Sequence, residues 1–406
     1  MTRVLVVNTG SSSLKYQVVD PTTGASHARG LIERIGEELG RMRHEGADGE
    51  VLALDTALPD HAAALALMLD VLREQAMVDD LMAVGHRVVH GGSEYREPVI
   101  VDRHVEEAIE RLIPLAPLHN PAALLGVREL RRLMPGIAHV AVFDTAFHAT
   151  IPAEAHTYAI PVDLAAQTHA RKYGFHGTSV QYVTRRSAEF LQVPAAEVNL
   201  IVCHLGNGAS VTAVRGGASV DTTMGMTPLQ GLVMGTRSGD IDPAVVFQLV
   251  RTAGLSMDEV DVLLNKASGL KGLTGDQDMR EVRARATAGD QRARLAIDVY
   301  AYRVRLYVGA YLAVLPRVDA LVFTAGIGEN DSQLRSEICG PLGHLGIRVD
   351  AGRNVAAGEG ARAIDDATGP IRVLVVPTDE EAQIARQAAE AVASAGWSPE
   401  RRPDTP

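Results

Sequence analysis

The stretch VLVVNTGSSSLKYQVVD, from Val4 to Asp20, decides the fold of the first part of the chain. Four apolar residues lead into Asn8-Thr9-Gly10, three serines follow, and Leu14-Lys15-Tyr16 opens a second apolar run. This pattern predicts two buried strands joined by a tight turn. Such a turn needs only Asn or Gly with a positive φ, so three hydroxyls and an ammonium group exceed what it requires. The tip of this hairpin therefore looks built to bind an anion.

Length and composition are those of an ordinary globular protein. The chain has 406 residues, of which 46% are hydrophobic and 22% charged, and this predicts about two domains. The formal net charge of −11 disfavours nucleic acid and anionic membranes as partners. No apolar stretch approaches the ~20 residues of a membrane helix, and Cys203 and Cys339 have no CxxC spacing. We therefore expect a cytoplasmic protein without a disulfide framework.

Short β-branched runs alternate with helical patterns along the chain, which predicts an α/β fold. Helices are predicted at 61–77, 121–134 and 291–315, and a capping box at 256–259. The plan of the first hairpin recurs in LIVCHLGNGASVTAV, residues 200–214. The recurrence indicates either two related domains or simply two common hairpins. We expect one domain at 1–150 plus 378–406 and a second at 151–377, with the closing WSPERRPDTP disordered.

The chemistry-bearing stretches exclude some common classes of site. There is no GxxxxGK[ST] P-loop, no complete GxGxxG fingerprint and no HExxH zinc motif. What remains are glycine-rich turns, which let backbone N–H groups approach an anion. Together with Lys15, Arg87, Arg237 and several carboxylates, these turns suit a polyphosphate with a divalent cation. Magnesium prefers such oxygen ligands.

Nine blocks of the sequence resemble, in order and over nearly the whole chain, the signature blocks of the acetate kinases. This family belongs to the superfamily of the acetate and sugar kinases, heat-shock ATPases and actin. The blocks are NTGSSSLKYQ, GHRVVHGG, PLHNP, VFDTAFH, YGFHGTS, HLGNGAS, MGTRSGDIDP, TAGIGEN and PTDEE. Two positions depart from the family pattern: Thr9 stands where Ala or Cys is commoner, and Asp379 stands where Asn is usual. Asp379 adds a negative charge next to a candidate metal ligand.

The resemblance implies two ribonuclease-H-like (actin-like ATPase) domains with a nucleotide cleft between them. It also implies a reversible, magnesium-dependent transfer of a phosphoryl group from ATP to acetate, giving acetyl phosphate and ADP, in a homodimer. Mn²⁺ is the expected substitute for Mg²⁺. A propionate or butyrate kinase of the same family is the close alternative, because one methylene changes binding by only ~1–3 kcal/mol. A non-catalytic actin-like nucleotide-binding module is the alternative from another class, and Arg87, Arg237 and His176 speak against it.

The resemblance also implies roles for individual residues. The catalytic residues are Arg87, Asp144, His176 and Arg237. The acyl group is expected against Val89, Leu118, Phe175 and Pro228, with Arg87 on the carboxylate. ATP is expected at Lys15, His204, Leu205, Gly206, Asn207, Gly208, Asp278, Met279, Arg280, Gly326, Ile327, Gly328, Glu329 and Asn330. Ser11, Ser13 and His119 are expected on the phosphate side, and Asn8 and Glu380 at the metal. Because a carboxylic acid is already ionised at neutral pH, Asp144 need not be a base; the alternative is that it orders magnesium-bound water or orients Arg87.

Local patterns add expectations about how these side chains are held. Thr178 or Ser179 is predicted to cap a helix that begins after His176. A T-x-x-E capping box is predicted to employ Glu381, which leaves Glu380 free for the metal. A surface ion pair with Asp240 or Asp242 is the alternative role for Arg237.

Overall fold

The computed structural model describes residues 3–397; of the stretch 397–406 that was expected to be disordered, residues 398–406 lie outside them. The strands are β1 Arg3–Thr9, β2 Ser13–Val19, β3 Ser26–Glu33, β4 Gly40–Glu45, β5 Val51–Thr56, β6 Leu81–Val88, β7 Val99–Ile100, β8 Ala138–Phe143, β9 Leu200–Leu205, β10 Ala209–Arg215, β11 Ala218–Thr222, β12 Ala320–Thr324, β13 Arg362–Ala363 and β14 Arg372–Val375. The α-helices are α1 His61–Glu74, α2 Arg103–Arg111, α3 Asn120–Leu133, α4 Ala153–His156, α5 Val162–Thr168, α6 Gly177–Leu191, α7 Ala244–Ala253, α8 Met257–Lys266, α9 Gly269–Thr274, α10 Met279–Thr287, α11 Gln291–Val314, α12 Ala325–Asn330, α13 Ser332–Cys339, α14 Ala351–Val355 and α15 Glu380–Ser394. Short 3₁₀ turns lie at Ile113–Leu115, Ala146–Thr150, Ala195–Glu197 and Gly340–Leu345.

Residue contacts divide the described chain into two compact units. The first ends at Phe147 and resumes at Asp379, and the second is His148–Thr378. That the predicted domains, 1–150 plus 378–406 and 151–377, fold as separate domains stays a prediction. Within residues 3–397, none of the helices combines the length and apolarity needed to cross a bilayer.

The first unit is built on an eight-stranded sheet with the order β5-β4-β3-β2-β1-β6-β8-β7. Strands β1, β2 and β3 pair antiparallel, whereas β6 pairs parallel with both β1 and β8. Val4–Val7 is fully buried, as expected for a strand at the centre of a covered sheet. The helix α15 packs on β6 so closely that a Cβ on Gly85 would lie 2.8 Å from Cγ2 of Ile384. The end of the chain thereby completes the first unit.

The second unit has a six-stranded sheet with the order β11-β10-β9-β12-β14-β13. Its strands β9, β10 and β11 pair antiparallel, and β12 pairs parallel with β9 and β14. Five strands in each unit therefore share one plan. Three consecutive strands form an antiparallel β-meander, and two later strands extend the sheet in parallel from the first strand of that meander. Both quoted hairpins are the first hairpin of this plan. Two units, each built on one mixed sheet of this plan, confirm the predicted α/β fold class of two ribonuclease-H-like domains.

Local signals in the sequence also appear in the structure. The helices predicted at 61–77, 121–134 and 291–315 are α1, α3 and α11. Both hydrogen bonds of the capping box form at the start of α8, between Ser256 and Glu259. Thr9 packs against α3, where a Cβ on Gly126 would lie 2.3 Å from its Oγ1. The threonine therefore fits because a glycine faces it.

Two buried histidines form a hydrogen-bonded chain in the first sheet. His86 Nε2 lies 2.9 Å from His139 Nδ1, and His139 Nε2 lies 3.2 Å from the carbonyl oxygen of Met134. Since that carbonyl only accepts, His139 donates from Nε2 and accepts at Nδ1 from His86. Burial lowers the pKa of His139 to about 4 and the pKa of His86 well below its usual value. Both rings are therefore neutral in the folded protein.

This pair predicts a loss of stability on mild acidification. The unfolded chain takes up protons near pH 6.5 while the folded chain does not, so the stabilisation is complete above that pH and is lost as the pH falls towards 4. We expect the free energy of unfolding, measured by denaturant titration, to drop by about 2–3 kcal/mol between pH 7.5 and 5.5. His139→Gln should flatten this dependence, whereas His104→Gln, at an exposed position on α2, should not. Equal pH dependence in all three proteins would contradict the assignment.

Candidate active site

The tip of the first hairpin is a tight turn whose lysine is engaged by α15. Gly10 N donates to the Ser13 carbonyl at 2.8 Å, and Asn8 pairs with Lys15 across the β1–β2 ladder. Lys15 Nζ lies 2.5 Å from Glu381 Oε1, with its side chain 53% exposed. Ser11 is exposed and Ser13 half-buried. The lysine predicted to contact ATP is thus paired with a carboxylate in this structure.

Arg87 and Asp144 meet at the carboxyl ends of two parallel strands. Arg87 is the penultimate residue of β6, and Asp144 follows the last residue of β8. Arg87 donates to Asp144 Oδ2 from Nη2 at 2.6 Å and from Nε at 3.1 Å. The Asp144 side chain is 1% exposed, whereas that of Arg87 is 23% exposed. The guanidinium is therefore held by Asp144 on its buried side, and its other side is exposed.

Glu380 completes this cluster at a longer distance. Its Oε2 lies 3.7 Å from Arg87 Nε. Burial alone would lower the pKa of Arg87, but the carboxylates of Asp144 and Glu380 outweigh burial and raise it above its ordinary value. Burial raises the pKa of Glu380 to about 7, against the attraction of Arg87. A cation placed next to Glu380 would therefore stabilise its ionised form.

The predicted capping box at the start of α15 is wrong. Asp379 is the N-cap, and its Oδ1 accepts from Ala382 N at 2.8 Å. Thr378 is otherwise engaged, because its N–H donates to Glu329 Oε1 at 3.1 Å and its hydroxyl lies 2.7 Å from Ser179 Oγ. The residue that departs from the family pattern thus has a structural role. Glu381 pairs with Lys15 rather than capping the helix.

Loss of the Asp379 cap should lower the thermodynamic stability of the protein. Asp379→Ala is expected to lower the free energy of unfolding by about 0.5–2 kcal/mol, because the amide of Ala382 loses its acceptor. Asp379→Asn retains an acceptor and serves as the matched control, with a much smaller change. Glu381→Ala, which breaks only a partly exposed ion pair, should cost ~0–1 kcal/mol. Thermal and denaturant unfolding of the three variants provide the measurement, and a larger loss for Glu381→Ala would restore the capping box.

In the second unit, two stacked histidines lie at the start of α6 and the end of β9. The rings of His176 and His204 are 4.1 Å apart and inclined by 20°. His176 Nδ1 lies 3.0 Å from Ser210 Oγ, and His204 Nδ1 lies 2.8 Å from Ser179 Oγ. His176 has a φ of +61°, a left-handed conformation that is strained for a residue with a Cβ. The surrounding hydrogen bonds hold this imidazole in a specific position.

The prediction that Thr178 or Ser179 caps α6 is wrong. His176 is itself at the N-cap position, without a side-chain capping bond, and Gly177 begins the helix. Thr178 and Ser179 are buried in the first turn. Ser179 instead bridges His204 and Thr378.

Arg237 is a partly buried cation without a carboxylate partner in residues 3–397. Its only hydrogen-bond acceptor there is Met234 Sδ, 3.9 Å from Nη1. Asp240, offered as a partner by the sequence, accepts instead from Gly231 N and from the hydroxyl of Tyr307. Burial lowers the pKa of Arg237. A buried guanidinium with free donors is suited to an anionic ligand.

Asp242, the second possible partner, accepts from Ala244 N and so supports the start of α7. Gly208 lies next to two of the predicted catalytic residues: a Cβ there would be 3.2 Å from His176 Nε2 and 3.7 Å from Arg237 Nη1. His176, Arg237 and the turn containing Gly208 therefore lie together in the second unit.

A cavity of about 900 Å³ adjoins this turn. Eight predicted ATP-contacting residues line it, namely Gly206, Asn207, Asp278, Met279, Arg280, Gly326, Ile327 and Asn330. Gly326–Asn330 lies in α12, and Asp278 is the N-cap of α10. His204, Leu205, Gly208, Gly328 and Glu329 are not part of the lining.

Further residues line the cavity that sequence reasoning missed. They are Gln277, Arg283, Asp331, Ser332 and Gln333. Arg283 donates to Asp331 Oδ2 at 2.9 Å and to Glu337 Oε2 at 3.1 Å, which holds α10 against α13. Asp331, Ser332 and Gln333 follow the TAGIGEN block directly in the sequence, and this adjacency is the signal that could have found them.

The predicted acyl residues are shared equally between the units. Val89, half-buried after the end of β6, and Leu118, 48% exposed, belong to the first unit. Phe175, 2% exposed, and Pro228, half-buried, belong to the second. His119 is at the N-cap position of α3 in the first unit, without a side-chain capping bond. Each unit by itself thus holds two of the four apolar side chains.

Comparison with known proteins gives a consistent result. The family model described as "Acetokinase family" matches residues 3–386. The chain is 56% identical over 397 residues to an acetate kinase of Leifsonia xyli subsp. xyli, covering 97% of this chain and 100% of that protein. It is 53% identical over 399 residues to an acetate kinase of Streptomyces coelicolor, covering 97% and 98%.

Two solved structures resemble the whole fold. A propionate kinase from Francisella tularensis subsp. tularensis superposes with a TM-score of 0.92 at 40% identity, covering 96% of this chain and 100% of that one. An acetate kinase from Porphyromonas gingivalis superposes with a TM-score of 0.91 at 40% identity, covering 97% and 100%. Similarity to these two structures therefore does not separate acetate from propionate as the substrate.

Proposed function

Since this chain belongs to the acetokinase family, we propose that it transfers the γ-phosphoryl group of ATP directly to a carboxylate oxygen of acetate. The enzyme is an acetate kinase, a phosphotransferase with a carboxylate acceptor, and ATP is its co-substrate. The observation that carries the site assignment is Arg237, a partly buried cation without a carboxylate partner in residues 3–397, next to His176 and Gly208.

We assign ATP to the second unit. The cavity of about 900 Å³ accommodates the nucleoside, and the turn Gly206–Gly208 leads from it to His176 and Arg237. Backbone N–H groups of such a turn can approach phosphate oxygens without interference from a Cβ. Phosphoryl transfer involves little covalent chemistry for the protein, so positioned donors that neutralise the equatorial oxygens do most of the catalytic work. His176 and Arg237 are those donors in this proposal.

We assign the acetate carboxylate to Arg87 in the first unit. The guanidinium is held by Asp144 on one side and is 23% exposed on the other, so it can bind a second carboxylate. Acetate is ionised at neutral pH and needs no base to become a nucleophile. Both carboxylate oxygens of Asp144 lie within 3.3 Å of Arg87 Nε. This geometry supports a positioning role for Asp144 rather than proton abstraction.

Magnesium is proposed at Asn8 and Glu380, with Mn²⁺ as a substitute. Amide and carboxylate oxygens are suitable ligands, and magnesium keeps several waters and phosphate oxygens in its coordination sphere, so few protein ligands suffice. Burial raises the pKa of Glu380 to about 7 although Arg87 lies 3.7 Å away, and a bound Mg²⁺ would stabilise the ionised carboxylate. The ion would neutralise charge on the β- and γ-phosphates.

A magnesium titration tests this assignment. Glu380→Gln should shift the half-saturating magnesium concentration upwards by roughly tenfold or more, because a direct anionic ligand is lost. Glu381→Gln is the matched control one residue along the same helix turn, and its titration should overlay that of the wild type. Equal shifts in the two variants would contradict the assignment of Glu380 as a magnesium ligand.

The substrate assignment is tested with initial rates on acetate, propionate and butyrate at matched concentration with Mg-ATP. Acetate should give the highest kcat/KM, in line with the names of the most similar curated relatives. A higher kcat/KM for propionate would show that the enzyme is a propionate kinase instead. If no carboxylate stimulates ADP formation, the alternative of a non-catalytic nucleotide-binding module would be favoured.

A homodimer is proposed on the basis of α7. The helix reads AVVFQLVRTA, yet none of its residues is buried; Val245 is 40% and Phe247 55% exposed. An exposed apolar helix of this kind is typical of a surface covered by a partner. Sedimentation should give the mass of two chains. We place the enzyme in the cytoplasm, where ATP is supplied.

A further inference from the structure

The short helix α12 forms one wall of the nucleotide cavity, and we propose that the buried guanidinium of Arg335 is a positioning residue that sets nucleotide affinity by bracing this helix. Gly326, Ile327 and Asn330 of α12 line the cavity. Arg335 lies on α13 and is not part of the lining. The inference rests on the proposed ATP site in the second unit.

Arg335 holds the carboxyl end of α12 through its forked donors. Nη1 donates to the carbonyl oxygens of Gly328 at 2.8 Å and Glu329 at 2.9 Å. Nε donates to Asn354 Oδ1 at 2.8 Å, and Nη2 donates to Asn354 O at 2.7 Å. The arginine is 2% exposed, so water cannot substitute for these bonds. One side chain thereby ties α12 and α14 to α13.

Glu329 holds the opposite end of α12. Its Oε1 accepts from Ala325 N at 2.8 Å and from Thr378 N at 3.1 Å. Ala325 has a φ of +63°, which is strained for a residue with a Cβ. The carboxylate expected to contact ATP is therefore used to anchor the start of the helix.

The helix needs such anchors because it is weak on its own. It has six residues, two of them glycines, in the sequence AGIGEN. A helix this short is unstable in isolation, and glycine lowers its stability further. A Cβ on Gly326 would meet nothing within 4 Å, so part of the wall is bare backbone. The position of that backbone depends on the contacts at the two ends of the helix.

The charge of Arg335 is balanced by carbonyl dipoles rather than by a direct ion pair in residues 3–397. Burial lowers the pKa of Arg335 to about 10, with attraction from Asp331 only partly opposing burial. A salt bridge alone would be satisfied by any cation, whereas four acceptors in this arrangement need the planar fork of arginine. Lysine at this position keeps the charge but cannot reach all four acceptors.

Arg335→Lys is therefore expected to weaken nucleotide binding selectively. The KM for ATP and the Kd for Mg-ADP, measured by calorimetry without acetate, should both rise on the order of tenfold, because a displacement of the wall near 1 Å has effects of this size or larger. The KM for acetate should stay unchanged. Arg353→Lys is the matched control, since Arg353 also donates to a carbonyl, that of Asp365, and makes no hydrogen bond to α12 within residues 3–397.

Asn354→Ala provides a second variant in case Arg335→Lys fails to fold. It removes the side-chain acceptor of Nε but leaves the charge and the backbone acceptors in place, and a smaller rise in both nucleotide constants is expected. A fall in melting temperature with unchanged nucleotide constants in the folded variants would overturn the inference and leave Arg335 a purely structural residue. Failure of the proposed function looks different, since the wild type itself would then show no acetate-dependent formation of ADP.

Discussion

Arg237→Ala is expected to lower kcat on the order of a thousandfold or more while the protein stays folded. Positioned cations at a transferring phosphoryl group contribute effects of this size, because they neutralise charge that develops in the transition state. The fold should tolerate the change, since the guanidinium has no carboxylate partner in residues 3–397 and its removal leaves no buried charge unpaired. Burial disfavours the charged form of Arg237 and lowers its pKa. The charge of Arg237 therefore does not stabilise the fold of the free enzyme.

Steady-state kinetics and thermal unfolding measured side by side test this prediction. Arg215→Ala is the matched control, because Arg215 is an exposed arginine of the same unit, at the end of β10. It should retain wild-type kcat and melting temperature. A loss of less than tenfold for Arg237→Ala would sink the catalytic assignment, and a large fall in melting temperature would show that the cation is structural.

The fold was accessible from the sequence because its signals are local. Each hairpin shows two buried runs around a glycine-containing turn, and the pairing Val4–Val19 follows from the length of that turn. The capping box of α8 lies within four residues, Ser256 to Glu259, and both of its hydrogen bonds form. Features that depend only on near neighbours in the chain can be deduced from residue types.

The errors arise where distant residues compete for the same group. Thr378 and Asp379 are both good N-cap residues, and the sequence does not show which one is free. The structure decides for Asp379, because Ser179 and Glu329 already occupy the hydroxyl and the N–H of Thr378. A contact across 199 residues decides where α15 begins.

The TAGIGEN block also depends on distant contacts. Two glycines argue against a helix, whereas hydrogen bonds to Arg335 and Glu329 hold the two ends of α12. The candidate site residues lie in blocks that resemble a known family, and this resemblance allowed them to be proposed from the sequence. Their supports, such as Ser179 and Arg335, could not, because nothing in their own sequence neighbourhood indicates a role.

The second large effect is expected for Asp144, and it separates two mechanisms. Asp144→Asn should lower kcat about a hundredfold or more, because Arg87 loses the partner that orients it. The same change should lower the free energy of unfolding by about 1.5–3 kcal/mol, since Arg87 loses its charge-assisted hydrogen bonds to Asp144 and keeps only the longer contact with Glu380, 3.7 Å away. Neither result alone distinguishes a base from a positioning residue.

A double-mutant cycle makes that distinction. If Asp144 acts only through Arg87, then Asp144→Asn should have no further effect on kcat in an Arg87→Met background, so that the double variant equals Arg87→Met alone. If Asp144 abstracts a proton or orders magnesium-bound water independently, the two losses should multiply. The short contact between Nη2 and Oδ2, 2.6 Å, and the ionised state of acetate at neutral pH both favour the first outcome. Multiplying losses would show that the carboxylate does chemistry of its own, and the role of Asp144 would then have to be sought at the metal rather than at Arg87.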